Sequence, residues 1–133
     1  MKLIVCLDDN NGMLFGGRRQ SRDIKVLQDI ETLTERICMS PFSKSLFEET
    51  AMQIYVDEKF LEHAGMGDFC FVEDKNVLPY IEKIEQLIIY KWNRKYPSDV
   101  QFQVPLSEWI LIEKYEFSGN SHERISREIY VRR

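Results

Sequence analysis

The chain has 133 residues, a length typical of one domain, and 44% of them are hydrophobic, which is enough for a buried core. Its net charge of −4, with both signs interspersed, provides no basic stripe for nucleic acid or for an anionic membrane. No apolar run approaches the roughly 20 residues that cross a bilayer, and no signal peptide is recognisable. We therefore expect a single cytoplasmic domain over residues 1–133, without nucleic-acid or membrane partners.

The cysteines and histidines provide no metal signature. Cys6, Cys38 and Cys70 each lie in an apolar run, and an odd number without C-x-x-C spacing is typical of reduced, buried thiols. His63 and His122 are far apart in the sequence and lack the spacing of a zinc site or of a catalytic set with a nucleophile. We expect no metal site, and an exposed His122 in a turn.

The first part of the chain predicts a buried strand and a helix. The continuous apolar run 2–7 is typical of a central strand buried on both faces. Residues 16–20 predict a mobile basic loop, and Ser21 is a candidate N-cap for a helix over 22–34. The inward stripe of this helix is predicted to be Ile24, Leu27, Ile30 and Leu33.

The middle of the chain alternates short strands with short helices. Strands are predicted over 36–39, 52–56, 68–73 and 85–92, with a shorter extended piece over 102–104. Helices are predicted over 43–49, 60–66 and 76–83, the first capped by Ser43 and the last by Asn76. This alternation predicts an α/β fold with a mostly parallel sheet and helices on both faces.

A long hairpin is predicted to close the sheet. Its first strand places alternating apolar residues on one face, which are Trp109, Leu111, Tyr115 and Phe117. Its second strand does the same with Ile125, Ile129 and Val131. Residues 118–121 supply the polar turn. The hairpin forms an antiparallel C-terminal edge and is the expected interface of a candidate homodimer.

This order of elements resembles the dihydrofolate reductase family. KLIVCLDDNNGMLFG is similar to the family's first strand and the loop after it, SRDIKVLQDI to its first helix, and RICMSPFS to its second strand and turn. EQLIIYKWNRKYPSDVQF, PLSEWILIEKYEF and NSHERISREIYVRR resemble the last three strands. The resemblance implies a dihydrofolate reductase-like sheet with helices on both faces and a C-terminal antiparallel hairpin.

The resemblance also implies a substrate site. Asp23 would be the acidic residue that binds the pterin ring and assists catalysis. The other residues that the resemblance implies around the substrate are Leu7, Ile24, Leu27 and Tyr90. Tyr90 stands where family members carry a threonine that bonds the pterin-binding acid.

The cofactor-binding elements depart from the family's pattern. The glycine run that would bind pyrophosphate reads Glu73-Asp74-Lys75-Asn76, which places carboxylates where phosphates would lie. The second cofactor turn reads Ser40-Pro41-Phe42-Ser43-Lys44 and lacks glycine. Lys44 and Lys75 remain as weak candidate phosphate ligands, so NADPH is a candidate cofactor that the sequence does not favour.

Several interpretations stay open from the sequence. Asp23 is either a cleft carboxylate for a 2-aminopyrimidine edge or an anion at a helix start. Arg18, Arg19 and Arg22 form either an anion-binding lip or a solvated loop. Tyr90 and Trp92 fit core aromatics better than a stacking platform.

Three functions remain open for the whole chain. The favoured one is a divergent protein that binds a small pterin- or nucleotide-like ligand near Asp23 and has lost the nicotinamide site. The second is an NADPH-dependent oxidoreductase that reduces dihydrofolate or a similar pterin. The third is a structural or interaction module.

Overall fold

Ten strands and two α-helices make up the computed structural model, which describes residues 1–133. The strands are β1 (Lys2–Leu7), β2 (Gly12–Phe15), β3 (Arg18–Arg19), β4 (Arg36–Met39), β5 (Gln53–Val56), β6 (Phe69–Phe71), β7 (Gln86–Lys91), β8 (Val100–Gln101), β9 (Trp109–Phe117) and β10 (Ile125–Arg132). The helices are α1 (Ile24–Leu33) and α2 (Phe60–His63), with 3-10 segments at Pro41–Phe47, Leu78–Lys83 and Leu106–Glu108.

The main sheet has seven strands in the order β5-β4-β6-β1-β7-β10-β9. The first five strands in this order run parallel, whereas β10 is antiparallel to both β7 and β9. The predicted α/β architecture, with a mostly parallel sheet and a C-terminal antiparallel hairpin, is confirmed. None of the helices has the length and apolar character required to cross a bilayer.

Alternating side chains of the central strands build a core on each face of the sheet. Ile4 packs with the buried side of α1, which consists of Val26, Leu27 and Ile30. Leu3 and Val5 point the other way and pack with α2 and with the Leu78–Lys83 segment. Helical segments therefore cover both faces, as predicted, and β1 is apolar along its length because neither face meets solvent.

The start of the first helix differs from the prediction. Ser21 is not its N-cap: Asp23 is in an extended conformation at this position and its Oδ1 accepts from the Lys25 amide at 2.9 Å. The prediction that Ile24 points inward is also wrong, because the helix begins there and its side chain is 52% exposed. The buried side is made instead by Val26, Leu27 and Ile30.

The basic loop predicted over 16–20 is partly a hairpin. Gly16 and Gly17 have φ angles of 58° and 74° and connect β2 to β3, so that Leu14 pairs with Arg19. Two successive residues with positive φ suit the two-residue hairpin turns that match strand twist, and glycine adopts this conformation without strain. β8 completes this second sheet, so the short extended piece lies at Val100–Gln101 and not at 102–104.

The hairpin β9–β10 forms as predicted, but the apolar face of β9 is not covered. Leu111 and Tyr115 are 45% and 48% exposed, and only Trp109 is buried among the residues of this strand. The register with β10 shifts between Ile129 and Tyr130, which leaves an extra residue on β9. Such a bulge bends an edge strand and weakens its pairing with other chains, so the predicted homodimer stays a prediction.

Candidate functional site

Asp23 is buried and its carboxylate is bound by its own chain. The Asn120 amide donates to Oδ1 and the Ser121 amide to Oδ2, each at 2.8 Å. The Ser121 hydroxyl lies 3.2 Å from Oδ2, and the Lys25 amide completes the set from the helix. Two parallel N–H donors on two carboxylate oxygens are the pattern that a 2-aminopyrimidine edge would offer. The β9–β10 loop therefore occupies the position that such a ligand would need.

His122 holds this loop against the sheet, and it is buried, in contrast to the prediction that it is exposed. Its ring stacks on Trp92 with centroids 4.7 Å apart. Nδ1 lies 3.1 Å from Asp23 Oδ2, and Nε2 lies 2.8 Å from the Tyr96 hydroxyl. Because a carboxylate only accepts, Nδ1 carries the hydrogen of this bond. His122 thus joins three separate segments of the chain.

The ionisation of Asp23 follows from these contacts. Burial alone would raise the pKa of the carboxyl group, but the amides of Asn120 and Ser121 and the ring of His122 stabilise the anion. Together they hold the pKa of Asp23 well below its usual range. A carboxylate held ionised in this way is an acceptor for the loop and a poor proton donor near neutral pH.

The start of this loop leaves no room for a side chain at Gly119. A Cβ at this position would lie 2.5 Å from Asp23 Oδ2 and 2.9 Å from the backbone oxygen of His122. We expect Gly119→Ala to reduce the free energy of unfolding by about 1–3 kcal/mol, because neither neighbour can move without losing its bonds. Urea denaturation measures this loss. Gly65→Ala is the matched control, since its Cβ would meet nothing closer than 3.7 Å, and an equal loss in both variants would contradict the steric argument.

The space beside Asp23 is small. A cavity of about 20 Å³ lies between Asp23, Leu27, Phe71 and Trp92, which is room for about one water molecule. Of the residues that the resemblance implies around a substrate, only Leu27 lines this cavity. Leu7 packs in the core on the opposite face of the sheet, and Ile24 lies on the outside of α1.

Tyr90 is a core residue, as its alternation predicts, and its hydroxyl binds a different acid. The hydroxyl donates to Asp29 Oδ2 at 2.6 Å, and not to Asp23. Arg127 donates to the same oxygen at 2.8 Å and to Glu113 at 2.5 Å. Burial and the bond to Asp29 both raise the pKa of Tyr90, so the phenol stays protonated. This network ties α1 to β7, β10 and β9.

The carboxyl ends of β4 and β6, where the cofactor turns were expected, hold one ion pair and two hydrogen bonds from serine hydroxyls. Glu73 is buried and accepts from Arg19 Nε at 2.8 Å and from Arg19 Nη2 at 2.9 Å. The Ser43 hydroxyl donates to the same carboxylate at 2.7 Å, and the Ser40 hydroxyl donates to Asp74 at 3.0 Å. Of the two carboxylates predicted to repel phosphate, Glu73 is therefore neutralised inside the protein, and Arg19, which neutralises it, is no longer free for a ligand. Asp74 keeps its charge.

The two lysines considered as phosphate ligands are not brought together. Lys75 forms an ion pair with Glu58, whereas Lys44 is exposed on the Pro41–Phe47 segment. Arg19 and Glu73 lie 54 residues apart in the sequence, and no local pattern links them. The sequence indicated the unusual charge at Glu73 but not its partner.

A groove with a volume of about 550 Å³ lies at the β5 side of the sheet. We call it the edge groove and define it by six of its lining residues, Arg36, Cys38, Tyr55, Asp57, His63 and Asp68. Arg36 and Cys38 are two apart on β4, and Tyr55 pairs with Cys38, so these three side chains share one face. No sequence pattern indicates this site, because its residues come from four separate segments.

The charges of the edge groove are partly compensated. His63 Nδ1 lies 2.5 Å from Asp57 Oδ2, and this hydrogen bond lowers the pKa of Asp57. Asp68 Oδ2 accepts from the Gly65 amide at 2.8 Å. Neither Arg36 nor Asp68 forms an ion pair, so the groove is lined by one unpaired cation and one unpaired carboxylate.

Comparison with known proteins identifies the fold. The chain is similar to the solved structure of dihydrofolate reductase from Enterococcus faecalis complexed with NADP(H) and RAB-propyl, with a TM-score of 0.69 and 11% sequence identity. The match covers 98% of this chain and 95% of that one. The fold is therefore dihydrofolate reductase-like, as the sequence resemblance implied.

The sequence itself matches no family model, and no curated protein matches it. At 11% identity the structural likeness concerns the fold alone. Activity has to be argued from the site, since one fold supports many chemistries.

Proposed function

We propose that this protein is a dihydrofolate reductase-like small-molecule-binding protein that does not reduce pterins with NADPH. The observation that carries the proposal is the saturation of Asp23, whose two carboxylate oxygens already accept two backbone amides of the chain itself. A pterin would have to displace the β9–β10 loop and break both hydrogen bonds, and a hydrogen bond to a charged group contributes about 1.5–3 kcal/mol. The ion pair of Glu73 with Arg19 supports the same conclusion for the cofactor. In this proposal Asp23 is a structural anchor and not a catalytic acid.

The edge groove is the ligand site that we propose in its place. Its volume of about 550 Å³ lies within the range of small-molecule pockets, whereas the cavity at Asp23 does not. Arg36 supplies an unpaired guanidinium for an anionic group, and the half-exposed ring of Tyr55 supplies a flat apolar surface on the same face. A planar base joined to a phosphate matches both, and the ligand class is therefore a nucleoside monophosphate.

Thermal-shift titrations test this proposal. We expect adenosine monophosphate to raise the melting temperature of the wild type, and a ligand at 100 times its Kd stabilises by about 2.7 kcal/mol. Arg36→Gln should abolish the shift, because it removes the unpaired cation. Arg18→Gln is the matched control, since it removes one exposed cation far from the groove, and it should keep the shift.

The same assay tests the reductase alternative. We expect no shift with NADPH and dihydrofolate, alone or combined, and no oxidation of NADPH. Each melting-temperature shift is measured against the ligand-free form of the same variant. A shift with NADPH and dihydrofolate that disappears in Asp23→Asn would overturn the proposal and restore Asp23 as a substrate-binding acid.

A further inference from the structure

Two cysteines lie next to each other on neighbouring strands beneath the edge groove. Cys38 on β4 pairs in register with Cys70 on β6. Parallel neighbouring strands lie about 4.8 Å apart, which falls within the Cα separation of about 4.4–6.8 Å that disulfides span. Both side chains pack in the core cluster on the α2 side of the sheet, so they point to the same face. A bond between the two sulfur atoms therefore requires no large movement of the backbone.

The two thiols differ in access. Cys38 is half-buried and lines the edge groove, whereas Cys70 is fully buried behind it. A reagent that enters the groove meets Cys38 first, and it reaches Cys70 only through Cys38. In this arrangement Cys38 is placed to attack the reagent, and Cys70 is placed to resolve the mixed disulfide that forms.

The local chemistry favours the same assignment. The interaction with the neighbouring Cys70 thiol lowers the pKa of Cys38, and the charge of Arg36 acts in the same direction, whereas burial and the carboxylates of Asp68 and Asp57 oppose it. The same interaction and burial both raise the pKa of Cys70. Because the thiolate is the nucleophile, Cys38 is the thiol prepared to react, and Cys70 attacks only after Cys38 has formed a mixed disulfide.

We infer that Cys38 and Cys70 form a reactive dithiol that exchanges with low-molecular-weight disulfides entering the edge groove. The Cys38 thiolate attacks one sulfur of the disulfide, so that a mixed disulfide forms and the other half leaves as a thiolate. Cys70 then loses its proton and attacks the Cys38 sulfur, which releases the second half. The protein dithiol is oxidised to the Cys38–Cys70 disulfide, and the reagent is reduced to two thiols.

Cys6 provides an internal control. Burial, followed by the charge of Glu73, raises the pKa of Cys6, which keeps it a protonated thiol. It lies on β1 away from the edge groove. Cys6→Ser should therefore leave the exchange unchanged.

Intact mass measurements with glutathione disulfide test the inference. We expect the wild type to lose the mass of two hydrogen atoms, and peptide mapping to find Cys38 joined to Cys70. Cys70→Ala should stop at one glutathione adduct on Cys38. Cys38→Ser should slow the reaction by about tenfold or more.

Two outcomes would overturn the inference. One is a wild-type protein that accumulates the adduct without forming the Cys38–Cys70 disulfide. The other is a Cys38→Ser variant that reacts as fast as the wild type. The peptide map of the wild type tests the dithiol even if a variant does not fold. The nucleotide titration of Arg36→Gln is a separate measurement, so the dithiol proposal and the nucleotide proposal can each fail without the other.

Discussion

Asp23→Ala is expected to reduce the free energy of unfolding by about 3–5 kcal/mol. The substitution removes the N-cap of α1 and leaves the amides of Asn120 and Ser121 without acceptors in a buried position. It also removes the partner of His122 Nδ1. Urea denaturation measures the effect. Asp9→Ala, at an exposed carboxylate in the loop after β1, is the control and should change the free energy of unfolding by less than about 0.5 kcal/mol.

The same carboxylate predicts a dependence of stability on pH. Since the pKa of Asp23 is lowered in the folded protein, its contribution is fully present above the unfolded value of about 3.9 and is lost as the pH falls further. Asp23→Asn keeps the size of the side chain but cannot titrate. The stability difference between wild type and Asp23→Asn should therefore shrink as the pH falls from about 5 to about 2. A difference that stays constant over this range would contradict the role of Asp23 as a buried anion.

Arg127→Ala is expected to have an effect of similar size, about 3–5 kcal/mol. The side chains of Arg127 and Asp29 are about nine-tenths buried, at 10% and 12% exposure, and their ion pair is 2.8 Å long. Removing the arginine leaves the Asp29 carboxylate buried with the Tyr90 hydroxyl as its remaining side-chain donor. Arg124→Ala, three residues earlier on the exposed end of the same hairpin, is the matched control.

A double substitution separates the cost of the unpaired charge from the loss of packing. Asp29→Asn combined with Arg127→Met removes both charges and keeps an acceptor for Tyr90. We expect the double variant to be more stable than Arg127→Met alone, because the single variant leaves the Asp29 carboxylate unpaired and neighbours in one network are coupled. Equal stability of these two variants would show that lost packing, and not the unpaired Asp29 carboxylate, dominates the cost.

The strands of the main sheet could be predicted from the sequence because each contains a short apolar run with its own local pattern, whereas β3, which consists of two arginines, could not. The same argument could not choose between Ser21 and Asp23 as the helix N-cap, since both residue types cap helices well. The choice is made by Asn120, 97 residues further along the chain, whose amide binds Asp23. The exposure predicted for His122 was wrong for the same reason, because a polar turn sequence does not reveal the Trp92 ring that covers it.

The sequence likewise revealed some features of the candidate sites and not others. The unusual carboxylate at Glu73 was visible in the sequence because it replaces an expected glycine, but its arginine partner was not. The edge groove was not predicted, because Arg36, Tyr55 and His63 carry no spacing that links them before the sheet forms. The alternation in β9 likewise placed Leu111 and Tyr115 on one face but did not reveal that both remain about half exposed.

The central position of β1 determines how the chain can fold during its synthesis. Lys2 pairs with Phe69 on one side and with Gln86 on the other, so neither neighbour of β1 exists until much later in translation. Such long-range pairs form slowly, because the entropy of closing a long loop is lost before the contacts compensate for it. The apolar segment Lys2–Leu7 must therefore remain without its strand partners on the ribosome until β6 and β7 emerge, and unpaired apolar strands of this kind are prone to aggregation.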